Sequence, residues 1–211
     1  MHVVGWGNAF YDYDNDGWLD LIAVNGHVYP QVDRADIGIR YRQPTQLFLN
    51  QRDGTFRDVS DRVGAALRVP RVGRGLAVGD LFNDGVQVVV DENLEGEPVI
   101  FRRKGGAPNH WVGFELAGTR SNKLALNARV KVTAGGFAQT DEVRSGGSYL
   151  SQSDLRLHFG LGNSRQVEKV EISWPSGATE VLKALEGDRS YCVKEGVGVV
   201  PCAAISPATV K

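Results

Sequence analysis

Residues Asp12-Tyr13-Asp14-Asn15-Asp16-Gly17-Trp18-Leu19-Asp20 place carboxylates at positions 1, 3, 5 and 9 of one short loop, with glycine at position 6. Alternate spacing turns Asp12, Asp14 and Asp16 toward one concave side. Gly17 permits the sharp turn that brings the Trp18 carbonyl and Asp20 round to close the shell. Hard oxygen donors in that number suit calcium, which accepts about six to eight of them in flexible geometry, better than zinc, which prefers nitrogen or sulfur. Four carboxylates packed this closely repel one another unless a cation lies between them. Asp12, Asp14, Asp16, Trp18 and Asp20 are therefore expected to bind one structural calcium ion. The competing reading, an Asp-Gly hairpin with solvated acids, suits two acids better than four in register.

The loop begins like an EF-hand but departs from it twice. Position 12, where a bidentate Glu is needed, is Ala23, and Trp18 to Val24 reads as a strand. A second copy tests the idea, because Gly7 to Gly17 aligns without a gap on Gly75 to Gly85. The copy keeps Asp80, Asn83, Asp84 and Gly85 but has Phe82 and Val88 at loop positions 3 and 9. It is expected to keep the turn and to lose the metal.

The elements that must hold these loops are strands. Of 211 residues, 42% are hydrophobic and 23% charged, while 26 glycines and a single methionine favour tight turns over long helices. Val3 to Tyr11 and Trp18 to Asn25 flank the Asp-rich loop, and Gln46 to Asn50 and Thr55 to Val59 flank a turn at Asp53-Gly54. Together they predict a four-stranded antiparallel unit, with Tyr29 to Pro44 as an irregular surface loop. A similar unit begins at Val72, and the internal repeat points to blades of the propeller type.

From about Asn109 the repeat stops and seven strand-like runs follow, with hairpin signals at Gly135-Gly136 and Pro175-Ser176-Gly177. The expected fold class is all-β: two propeller-type blades over 1–108, a β-sandwich-like domain over 109–196, and a C-terminal tail over 197–211, frayed after Pro201. Cys192 and Cys202 could close a short loop as a disulfide or remain two small apolar residues; spacing leaves both open.

Several segments are similar to known families. Gly7-Asn8-Ala9-Phe10-Tyr11-Asp12 through Leu21, together with Asp53 to Ser60, resembles the FG-GAP or VCBS repeat, the calcium-loop blade of integrin-type propellers. Glu142 to Gln152, Leu155 to Gly162 and Trp174-Pro175-Ser176-Gly177 resemble the ASPIC/UnbV domain. The pairing looks like the cartilage acidic protein-like family, which implies export and an adhesion-type role. Such proteins carry enough repeats to close a ring of blades, and two cannot, so the resemblance implies a fragment, a truncated product or half of an assembly. In this family glycine often stands where this chain has Asn127, the least costly substitute at positive φ.

Other chemistry finds little support in the residues. A formal net charge of −1 supplies no basic field for nucleic acid. No apolar run approaches the roughly 18 residues of a membrane span, and Met1 to Asn8 has no export-signal pattern. Ser145, Ser148, Asp154 and His158 lack a nucleophile elbow, so no catalytic constellation and no enzyme activity is expected. Arg102-Arg103-Lys104 reads as a solvated strand end, and Trp6, Trp18, Trp111 and Trp174 as seam or core residues. The function these features support is a calcium-binding scaffold outside the cytoplasm that binds an unknown protein or glycan, with self-association through open blade edges. The alternative is a non-catalytic accessory fragment of a polysaccharide-acting or other enzyme.

Overall fold

The computed structural model describes residues 2–35 and 37–204. The first blade is a four-stranded antiparallel sheet in the order β1 (Gly5–Tyr11), β2 (Asp20–Asn25), β3 (Gln46–Asn50), β4 (Phe56–Asp58). Period-two alternation decides its faces: Tyr11, Ile22, Val24 and Leu47 are buried, while Phe10, their neighbour on the opposite face, is 60% exposed. Gly54, at φ 86°, makes the β3–β4 turn, and Asp53 Oδ1 accepts the Thr55 N–H beside it. The second blade has three strands, β5 (Gly73–Gly79), β6 (Val88–Asn93) and β7 (Val99–Phe101). Leu76, Val78 and Val89 meet the buried face of the first blade in one core. The two blades touch most closely along β1 and β5, where a Cβ on Gly7 would stand 2.7 Å from the Leu76 nitrogen. The connection over Tyr29 to Pro44 carries a 3-10 turn at Pro30–Arg34 and packs Val32 and Tyr41 on Val72.

The second half is a sandwich of two four-stranded sheets. One contains β9 (Arg129–Ala134), β10 (Phe137–Glu142), β14 (Gln166–Ser173) and β15 (Thr179–Glu186), in the order β10-β9-β14-β15. The other contains β8 (His110–Ala117), β13 (Leu157–Gly162), β16 (Arg189–Lys194) and β17 (Gly198–Val200), in the order β13-β8-β16-β17. Phe114, Val130, Val132, Val170 and Ile172 fill the space between them. A small hairpin, β11 (Gly147–Ser148) and β12 (Ser151–Gln152), stands apart. The chain is thus all-β, with two open blades followed by a sandwich. Asn127 takes φ 71°, as its place in the turn before β9 requires.

Four expectations need correction. The seven runs after Asn109 become ten strands, because the β11–β12 hairpin and β17 are too short to show a period. β17 also carries the sandwich past the boundary drawn at 196. The tail is not frayed from Pro201: Cys202 is bonded to Cys192 with the Cα atoms 5.0 Å apart, and Cys202–Ala204 form a 3-10 turn; residues 205–211 lie outside the described residues. Finally, the inner blade edges are not open. Ser148 Oγ accepts the Asn8 N–H and Ser153 Oγ the Val78 N–H, while the Asp154 N–H donates to the Val78 carbonyl at 2.9 Å. The β11–β12 segment caps β1 and β5, leaving β4 and β7 as the outer strands.

Glu195, 2% exposed, fastens the sandwich's far corner. Its carboxylate accepts the N–H groups of Thr119, Arg120 and Ser121, each at 2.8 Å, and the hydroxyls of Ser121 and Ser176. Burial pushes its carboxyl up, but the Ser121 N–H, the Ser176 hydroxyl and the Thr119 and Arg120 N–H groups outweigh that and hold it at about 2. Glu195→Ala strands these donors and is expected to cost at least about 2 kcal/mol in urea unfolding at pH 7. Because the folded pKa is depressed, that difference is complete above the ordinary carboxylate range and shrinks as pH falls toward 2. Reducing the Cys192–Cys202 bond should cost about 2–3 kcal/mol in the same assay by the loop-closure rule.

Candidate metal centre

The Asp-rich loop joins β1 to β2, and its acids do two different jobs. Asp12 builds the turn: one carboxylate oxygen accepts the Asp16 N–H at 3.0 Å and the other the Gly17 N–H at 2.8 Å. Asn15 at φ 59° and Gly17 at φ 90° supply the left-handed conformations this turn needs. Asp20 reaches back from β2, accepting the Tyr13 N–H at 3.0 Å and the Asn50 N–H at 2.8 Å. Oxygens of Asp12, Asp14 and Asp20 lie within 4.8 Å of one another, and among the described residues they form the cluster of metal-ligating side chains. Asp16 is turned elsewhere: it accepts the Trp18 N–H at 2.8 Å and pairs with Arg52 from the β3–β4 turn. The predicted set is therefore brought together at three side chains, while the Asp16 side chain serves the turn.

The electrostatics are those of a crowded anionic site. Burial, opposed by the Gly17 N–H and reinforced by Asp16, Asp14 and Asp20, pushes the Asp12 carboxyl up to about 7. Burial likewise raises Asp20 to about 6 despite its N–H donors from Asn50 and Tyr13. Asp14 is raised by burial and Asp16, against the pull of Arg103 and Arg52. An all-oxygen donor set whose members resist ionisation together fits a hard divalent cation, which would remove the repulsion.

The second loop repeats the turn with the same hydrogen bonds. Asp80 accepts the Asp84 N–H at 3.2 Å and the Gly85 N–H at 2.8 Å, Asp84 accepts the Val86 N–H, and Asp84 pairs with Arg102 as Asp16 pairs with Arg52. Phe82 stands where Asp14 would be and lies under the Arg102 guanidinium, 4.5 Å from ring centroid to Cζ. Buried Val88 occupies the place of Asp20.

Both loops are clamped between the blades and the sandwich, a feature the sequence did not signal. Asn15 donates to the Gly85 carbonyl at 3.0 Å and accepts from His158 Nε2 at 2.8 Å, tying the two loops to β13. The Gly162 N–H donates to the Asn15 carbonyl and Asn109 Nδ2 to the Asp14 carbonyl, at 2.9 and 2.8 Å. Any Cβ on Gly160 would collide with Asp12 Oδ2 and the Asn15 backbone. Trp18 stacks on Phe137 with centroids 5.2 Å apart, and Trp111, against which Gly85 packs, stacks on His158 at 5.5 Å. The imidazole, pushed down to about 4 chiefly by burial, is held neutral. Trp6 lies between Arg74 and Tyr149, so the tryptophans with aromatic neighbours sit at seams, and Trp174 is in the core. Of the hydroxyl, acid and imidazole groups weighed as a triad, Ser148 holds Asn8, Asp154 pairs with Arg156 and His158 holds Asn15.

Two turn-linked blades joined to a sandwich are the architecture on which two family models match in turn. Residues 12–90 match the FG-GAP-like repeat, and residues 118–200 match ASPIC and UnbV. Cartilage acidic protein 1 of Mus musculus is 30% identical over 172 residues, covering 79% of this chain and 25% of that protein. Its Xenopus tropicalis counterpart is 28% identical over 182 residues, 84% of this chain and 26% of that protein. The Homo sapiens protein is 27% identical over 172 residues, with 79% and 24% covered. The chain spans about a quarter of the length of these curated relatives. No helix among the described residues is long and apolar enough to cross a membrane.

The raised carboxyls set a pH trend for the cation-free protein. Asp12, Asp20 and Asp91, the last raised by burial to about 6 against Arg71 and Thr45, hold protons that the unfolded chain releases near pH 4. His158 opposes them, because the unfolded imidazole takes up a proton that the folded one refuses. Three carboxyls outweigh one imidazole, so the native state binds more protons between about pH 4 and 7 and stability falls as pH rises through that window. Urea unfolding with a chelator present should give a higher midpoint at pH 5 than at pH 7.5. Separately, Gly160→Ala is expected to cost about 1–3 kcal/mol by forcing the loop off β13, read as a lower urea midpoint.

Proposed function

We propose that this chain is a calcium-braced binding scaffold that works outside the cytoplasm, with one ion held by Asp12, Asp14 and Asp20 and completed by the Trp18 carbonyl, while Asp16 holds the turn. The observation that carries it is the convergence of three desolvated carboxylates in a loop whose backbone is shared with the sandwich. The ion would relieve their repulsion and stiffen the turn that Asn109, His158 and Gly162 grip. Its role is structural, holding blade and sandwich in one orientation. The second loop, with Phe82 and Val88, keeps its shape through Asp80 and Asp84 without an ion.

The Cys192–Cys202 bond supports an oxidising compartment, and the cartilage acidic protein relatives support an extracellular setting. For the partner, a protein or glycan is the reading that the exposed Phe10, Leu19 and Phe56 of the first blade favour, Phe10 and Leu19 at the mouth of the cleft between blade and sandwich. The outer strands β4 and β7 are where self-association would occur. The accessory-enzyme reading predicts a polar cleft near Arg144 to His158, and one is present there, lined by Asp141, Glu142, Arg144 and Asp154. Its acids are engaged, Asp141 with Arg144, Glu142 with Arg129, Asp154 with Arg156 and Asp12, which also lines it, with the N–H groups of its own turn, which favours a non-catalytic role.

Thermal unfolding with calcium or chelator tests the proposal. For a dissociation constant of about 1 mM, typical of weak extracellular modules, about 10 mM calcium should stabilise by about 1.4 kcal/mol. Asp14→Asn should abolish the shift while leaving the chelated protein folded, since Asp12 and Asp16 keep the turn. An unshifted wild-type midpoint would reduce the loop to a hairpin.

A further inference from the structure

We propose that the seam between the two blades is a binding site for a small carboxylate carried on an apolar body. A cavity of about 530 Å³ opens there, on the side of the blades' shared core, and lies within the roughly 300–1,000 Å³ range of small-ligand sites. Leu47, Leu67, Val89 and Phe101 give it apolar walls, and Tyr11 and Tyr13 add aromatic surface. The short helix Ala65–Arg68 forms one side.

The charge on its lining is of one sign. Arg102, Arg103 and Lys104 all line the cavity, and no Asp or Glu does, although the chain as a whole is nearly neutral. Arg102 is engaged by Asp84 and by the Phe82 ring. Arg103 is not: its guanidinium lies 5.3 Å from the Tyr13 ring centroid, and its Nη1, shielded from solvent, has no hydrogen-bond partner among the described residues. Asp14 feels its charge from the metal loop, and no ion pair joins the two among the described residues. An orphaned guanidinium donor beside a desolvated apolar cleft matches a carboxylate, which offers two acceptor oxygens to the planar fork, while the attached hydrocarbon fills the walls. The basic run that reads in the sequence as a solvated strand end thus has a place in the fold where its charge would be used. Lys104, at the same mouth, supplies a second, longer-range positive charge.

The test is titration of the ¹⁵N-labelled chain with 2-naphthoate and, in parallel, with 2-naphthamide, its neutral isostere. Naphthoate should shift amides of Ala65–Leu67 and Phe101–Lys104, and naphthamide should bind about tenfold or more weakly. Arg103→Met should weaken naphthoate binding by about tenfold, and Lys104→Met by a smaller factor, at unchanged melting temperature. The carboxylate-against-amide comparison on the unaltered chain stands whether or not the Arg103 variant folds. Equal binding of the two probes, shifts confined to other parts of the chain, or no naphthoate binding at millimolar concentration would each overturn the proposal.

Discussion

The structure depends on how tightly a carboxylate turn is pressed against a glycine. Asp12 folds its loop by accepting two N–H groups, and the compact turn that results leaves Gly160 of β13 no room for a side chain. Because of that contact, the backbone carbonyls of Asp14 and Asn15 become acceptors for Asn109 and Gly162, and the Asn15 side chain can reach both His158 and the second loop. Blade and sandwich therefore share polar groups whose separation would leave buried donors and acceptors unpaired, a cost of about 1–3 kcal/mol for each. The two blades are in this way given a third partner. The sandwich covers their inner edges with β11–β12 and their loop end with β13.

The duplication separates what the turn needs from what a cation needs. Both loops keep the aspartate that accepts the position-5 and position-6 N–H groups, the positive-φ asparagine, the glycine, and the acid that pairs with an arginine, Arg52 in the β3–β4 turn or Arg102 just past β7. Those residues are the turn. Only the first loop adds Asp14 and Asp20, and burial of these acids with Asp12, reinforced by their mutual closeness, raises the electrostatic cost of the site. In the second, an exposed phenylalanine under an arginine and a buried valine take those places, so the same backbone carries no crowded charge.

How far this could be read in the sequence follows from what kind of signal each feature leaves. The blades were legible because period-two burial and the gapless repeat of Gly7 to Gly17 on Gly75 to Gly85 are local patterns. So was the meeting of Asp12 and Asp14, which alternate spacing turns to one side, with Asp20, which the Gly17 turn brings round. The departure of Asp16 was not, because its Arg52 partner arrives from another hairpin. The two-residue strands β11 and β12 leave no period, and the pairing of Cys192 with Cys202 depends on β16 and β17 turning the chain back, which spacing alone cannot convey. Least legible was the joint: Gly160 and His158 look like ordinary strand residues until Asp12 and Asn15 come to rest on them.

Amide hydrogen exchange, with calcium and with chelator, reports on that joint directly. If the ion braces blade to sandwich through the shared loop, calcium should slow exchange at Gly17 within the turn and, by a similar factor, at Gly162, whose N–H is given to Asn15 across the interface. Protection that rises at Gly17 while Gly162 is unchanged would make the ion a local staple of one hairpin, and protection at neither would leave the turn without an ion.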